Sequence, residues 1–182
     1  FQDPEFRKRF GYKGKYRIVP LNFGEYDNKR IFDYEEAGIS TNDMPFEDYV
    51  YLRSIALMVE SLINGRPFDE FFQYAKILGL SKANFLKRLR DNIAKAPREI
   101  NKLFNEFISD TKSELWNSEK ELLNYYRRDE NFQLLKKGKI GGNLIFKYKT
   151  RSLVVLKNEW IEFLQQQLYE VALEKHQDIY NK

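Results

Sequence analysis

The 182 residues are 42% hydrophobic and 32% charged, and 31 basic side chains against 27 acidic ones leave a net charge of +4. That balance belongs to a globular chain and excludes a disordered one. With no cysteine and a single histidine, His176, the sequence excludes a disulfide framework, a Cys-ligated metal and a His-rich zinc site.

The start, Phe1-Gln2-Asp3-Pro4, shows no initiator Met and no signal-peptide pattern; it reads as cut from a longer chain or as a processed or trimmed product, with the cytoplasm as the default compartment. Residues 5–14 are basic, with Arg7, Lys8 and Arg9 the densest positive cluster. From 15 to 20 the pattern alternates, Tyr16 and Ile18 on one face, Lys15 and Arg17 on the other. It alternates again over 30–36, with Phe32 and Tyr34 on one side. Between them, Gly24 to Asn28 carries turn chemistry at Asp27-Asn28, which predicts a β-hairpin over 15–37. Two strands alone are marginal, so the hairpin must lean on something else.

From Asp43 the pattern turns helical. Asp43 suits a cap, Pro45 the first turn, and Tyr49, Leu52, Ala56, Val59 and Ile63 recur at helical spacing up to Asn64-Gly65. The near absence of charge from Ile55 to Val59 predicts a central buried helix. A second helix opens at Pro67 and closes at Gly79, and Ser81 caps a third with Phe85, Leu86 and Leu89 inward. Pro97 starts a fourth, whose periodicity from Ile100 to Tyr126 spans about seven turns. Gly138 to Asn143 is a break. The stretch 144–156 fits strand or helix; Asn143 as a cap and the lack of turn residues at 149–152 favour helix. A last helix buries Trp160, Ile161, Leu164, Leu168 and Val171. The expected architecture is mainly α: an irregular bundle of about six helices behind a small N-terminal hairpin. The expected segments are a basic, hairpin-bearing piece at 1–44 and a helical domain at 45–182.

Chemistry is harder to find. Glu35, Glu36, Asp43, Glu47 and Asp48 could supply a carboxylate pair, but capping and surface charge account for them. Neither a P-loop nor a G-x-G-x-x-G motif is present. Gly141-Gly142-Asn143 could hold an anion on backbone N–H groups, although a tight turn before a cap explains it more simply. Basic clusters at 7–17, 87–90 and 136–151 interleave with Phe10, Tyr12, Tyr16 and Tyr148, a texture that suits RNA or single-stranded DNA. Those rings are also the obvious core of their segments, so nucleic acid is not the favoured partner. No apolar run reaches the ~20 residues of a membrane span.

Three stretches carry a family resemblance. They are Lys13-Gly14-Lys15-Tyr16-Arg17-Ile18-Val19-Pro20; Arg30-Ile31-Phe32-Asp33-Tyr34-Glu35-Glu36; and Ser40-Thr41-Asn42-Asp43-Met44-Pro45-Phe46-Glu47-Asp48-Tyr49 before Leu52-Arg53. Together they resemble the region C-terminal to the catalytic barrel in cobalamin-binding-domain radical SAM proteins. The later run Gly138 to Leu144, with Lys147-Tyr148-Lys149, is similar to the tail of some members. Pro45 stands where that family usually has serine. The family's C-x-x-x-C-x-x-C cluster motif and D-x-H-x-x-G cobalamin signature are both missing, and would lie upstream of Phe1. The resemblance implies an accessory C-terminal domain, catalytically inert alone, packed beside the barrel and shaping its substrate space. SAM, a 4Fe–4S cluster and cobalamin are implied for the parent protein and none for this chain. The implied partners are the missing barrel and cobalamin domain and the parent's small-molecule substrate. Arg17, Glu35, Thr41 and Asn42 are the implied contacts with substrate or barrel. Arg17 and Glu35 could instead pair across the hairpin, and Thr41 and Asn42 could simply cap or turn. The alternatives from other classes are an RNA- or single-stranded-DNA-binding module and a protein-interaction module.

Overall fold

The computed structural model describes residues 3–180, with side chains to Gln177; residues 1, 2, 181 and 182, at the outer ends of the two expected segments, lie outside that range. The chain is mainly α, with a two-stranded antiparallel sheet near its start and nine α-helices among the described residues. It divides into two compact units. One takes residues 1–52 with 108–144, the other 53–107 with 145–182, so the hairpin segment shares its unit with residues far along the chain.

The first unit opens on a helix, α1 (Pro4–Phe10), where only a basic run was expected. Its end signals are complete. The Asp3 side chain accepts from the Glu5 N–H, Pro4 pre-sets the first turn, and Arg7, Lys8 and Arg9 complement the last. Gly11 closes it at φ 60°, and a Cβ there would collide with the Asn42 side chain. Strands β1 (Lys13–Tyr26) and β2 (Lys29–Ser40) extend beyond the expected 15–37 at both ends. Asp27 and Asn28 alone make the connection, at φ 48° and 59°, the two left-handed residues of a type I′ turn. Ile18 pairs with Tyr34 and Phe23 with Phe32, so Val19 to Asn22 stand against Asp33 alone in a wide bulge.

The hairpin leans on α6 (Glu119–Tyr126) and α7 (Asp129–Lys136). Ile18 and Phe32 are buried with Leu122, Tyr126, Phe132 and Leu135, bordered by Phe23, Trp116 and Ile140. Phe132 meets Phe32 and Phe23 edge-on, the arrangement that ring quadrupoles favour. The expected single helix over 97–126 is broken. Helix α5 (Arg98–Ser113) stops, and the Trp116 backbone pairs with Tyr16 through bonds of 2.9 and 2.8 Å. Ser118 then caps α6 on the Glu121 N–H. Gly141, at φ 66°, lies so close to Leu135 and Ile18 that a Cβ would intrude on both.

Helix α2 (Phe46–Met58) continues as a π-helical turn, Val59–Ile63, and ends at Asn64-Gly65 as expected. Its buried positions are Val50, Ser54, Leu57, Met58, Ser61 and Leu62, whereas Leu52 is exposed. The face is therefore offset from the expected Tyr49–Leu52–Ala56 series. Apolar residues lie all round this helix, so spacing alone did not single out the buried side.

In the second unit, α3 (Asp69–Ile77) and α4 (Lys82–Asp91) follow the expected punctuation. Gly79 closes the first, and Ser81 caps the second through the Asn84 N–H. The ambiguous stretch is helix α8 (Leu144–Val154), and α9 (Lys157–Tyr180) completes the fold. Trp160, Phe163, Leu164 and Gln167 of α9 are fully buried, as are Phe104 and Phe107 of α5. The Trp160 indole donates to the Ser152 hydroxyl, and its ring meets Phe104 edge-on. The expected six helices become nine because α1 and α7 are additional and the fourth divides.

Candidate functional site

The four expected contact residues lie in the first unit, in two places. Arg17 and Glu35 are cross-strand partners in the hairpin register. Arg17 Nε donates to Glu35 Oε1 at 2.6 Å, and its Nη1 donates to Glu114 Oε1 at 3.1 Å. Glu114, just beyond α5, went unnoticed in the sequence because nothing local relates it to residue 17. Burial works against the Arg17 charge, but Glu114 and Glu35 outweigh it and hold the guanidinium pKa above the ordinary arginine value.

Thr41 and Asn42 form the junction between β2 and α2. The Thr41 hydroxyl accepts from the Asp43 and Met44 N–H groups at 3.3 and 3.2 Å, and the Thr41 N–H donates to the Met44 carbonyl. The Asn42 side chain donates to the Arg9 carbonyl, and its backbone N–H to that of Phe10. Asn42 thereby clamps the C-terminus of α1, satisfying carbonyls that a helix end leaves open. Beside this clamp the Arg7 guanidinium holds Glu36 by two donors, one at 2.8 Å. Farther along the hairpin, Arg30 reaches the Arg127 carbonyl and Asp129 and lies 4.5 Å from the Phe132 ring centre. Arg7 and Glu36 were legible as charges, but only the turn of α1 back toward β2 makes them partners.

Chemically, this arrangement orients and braces. Arg7, Arg17 and Arg30 each face carboxylates, as do Arg88, Lys149 and Arg151 of the second unit. Within the expected basic clusters Arg7, Arg17, Lys87, Arg88, Lys149 and Arg151 are held by carboxylates, and Tyr148 is buried rather than available for stacking on a base. Among the described residues no three His, Asp or Glu side chains gather in a way that could hold a metal ion, and His176 is exposed. Among them, too, no helix is long and apolar enough to cross a membrane. Gly141 packs against core side chains of the hairpin unit, which accounts for the glycine without an anion. No known family model matches the sequence, and no curated protein matches it.

Proposed function

We propose that this chain is an accessory domain of a larger cobalamin-dependent radical SAM enzyme, where the hairpin and its junction with α2 help to shape the substrate space. The observation that carries this reading is that the stretches bearing the resemblance form one continuous braced device. Register pairs Arg17 with Glu35, Glu114 adds a third charge, and the Thr41–Asn42 clamp sets the direction in which α2 departs. Side chains held this way suit a wall against which a substrate is positioned. An iron–sulfur cluster does not fit these residues, since the chain has no thiolate. On this reading the cluster, SAM and cobalamin belong to other parts of the parent, and no step of their chemistry falls to this chain.

The test is purification of the native full-length polypeptide without oxygen, with iron, sulfide and cobalamin counted. The expected result is a bound cluster that, reduced by added dithionite, cleaves SAM to methionine and 5′-deoxyadenosine. A native polypeptide that holds no cluster and leaves SAM intact would overturn the reading.

A further inference from the structure

In the second unit, α3 and α9 leave an open groove of about 460 Å³ between them, within the size range of small-molecule sites. Helix α9 contributes Gln165, Leu168 and Tyr169 at helical spacing, and α3 contributes Glu70, Phe71 and Tyr74. Leu168 is buried and forms the floor. Tyr74 and Tyr169 are 51% and 66% exposed, so a ligand in the groove can reach both rings. Among the described residues Glu70 has no ion pair, in contrast to its neighbour Asp69, which takes Arg66 and Lys82. Three aromatic rings and one uncompensated carboxylate around an apolar floor have a definite complement. Ring faces attract cations, the carboxylate adds a point charge, and the floor accepts a hydrocarbon arm. Glu70 also sits in the first turn of α3, where the helix dipole favours it, but that role does not require aromatic neighbours.

We infer that this groove binds a small organic cation, a substituted ammonium group carrying an apolar arm. This stands apart from the radical SAM reading and neither needs nor supports it. The probe is benzyltrimethylammonium, titrated into the full 182-residue chain by NMR beside its uncharged carbon analogue, neopentylbenzene. Saturable shifts at Tyr74 and Tyr169 are expected, with the neutral analogue bound about fivefold or more weakly. Tyr74→Leu and Glu70→Gln should each weaken the cation by about threefold to tenfold, while Tyr74→Phe keeps the ring and the affinity. Unchanged spectra elsewhere will show that the variants fold. Equal binding of the neutral analogue, shifts confined to other residues, or indifference to both weakening variants would overturn the assignment. Equal binding in particular would mark the groove as merely apolar, without preference for charge.

Discussion

The two units reach stability by different routes. The hairpin unit buries a small, ring-rich centre, Ile18 and Phe32 against Leu122, Tyr126, Phe132 and Leu135. The all-helical unit buries Trp160, Phe72, Phe85, Phe104, Phe107 and Phe163 almost completely. Each helix satisfies its own backbone and has only to find a partner for its apolar stripe. Two strands expose an apolar face and open edges, so they need cover from elsewhere in the chain. That cover is Trp116 to Leu135, about a hundred residues downstream, and no local rule could have named it.

Core truncation sharpens the contrast most. Trp160→Ala should cost about 5 kcal/mol, the upper end of such substitutions, because it empties a fully enclosed site and leaves the buried Ser152 hydroxyl without its donor. Phe132→Ala should cost nearer ~3 kcal/mol, since the Arg30 and Lys136 side chains that border its ring can settle inward. Denaturant midpoints of the two variants against the parent chain will rank them. The reverse order would mean that the hairpin unit holds the tighter core.

The units should also respond to opposite ends of the pH scale. Burial, with Tyr125 and Glu114 nearby, pushes the Tyr126 phenol up to about 12. Its folded pKa exceeds the unfolded one, so the stability it supplies is complete below about pH 10 and is lost as pH rises toward 12, by roughly 2 kcal/mol. In the helical unit the carboxyls move the other way. Lys149 holds Glu60 below the usual carboxylate range, Gln73 with Lys82 and Arg66 does so for Asp69, and Arg88 for Glu174. Their contribution is present above an unfolded pKa of about 4 and fades as pH falls through the lower folded values. Amide signals of the hairpin should weaken first on the alkaline side, and those of α3 and α9 first in acid. Loss of both sets together at each extreme would show that the units do not melt separately.

The smallest effect concerns one residue of the bulge. Leu21 is 88% exposed at φ 67°, a conformation that burdens a side chain and not a glycine. Leu21→Gly should raise hairpin stability by up to about 1 kcal/mol, the strain relieved less the glycine's extra unfolded entropy. A lowered thermal midpoint would show that this leucine makes contacts worth more than its strain.

The local geometry of the four candidate residues was readable in advance, for reasons that can be named. Alternation places Arg17 and Glu35 on one face of a hairpin, so their pairing is a matter of register, and a threonine whose hydroxyl takes the N–H groups two and three residues on is recognisable turn chemistry. Helix α1 carried every end signal, from Asp3-Pro4 to Gly11, and its Arg-Lys-Arg run drew attention to charge instead. Glu114 was not readable, because its relation to Arg17 exists only across 97 residues.

By itself, the sequence determined what depends on neighbours within about one turn. Caps at Asp3 and Ser81, stops at Gly65 and Gly79, the left-handed Asp27-Asn28 turn and the lack of thiolates are all of this kind. Tertiary structure decided the break at 114–118, the buried side of α2, and the groove between α3 and α9. Each turns on a contact made far along the chain: a strand that takes the Trp116 backbone, a core that chooses among equally apolar faces, two helices that meet with a tyrosine of each left at the rim. Free energies of that kind are set by which surfaces meet, and spacing along one segment does not contain them.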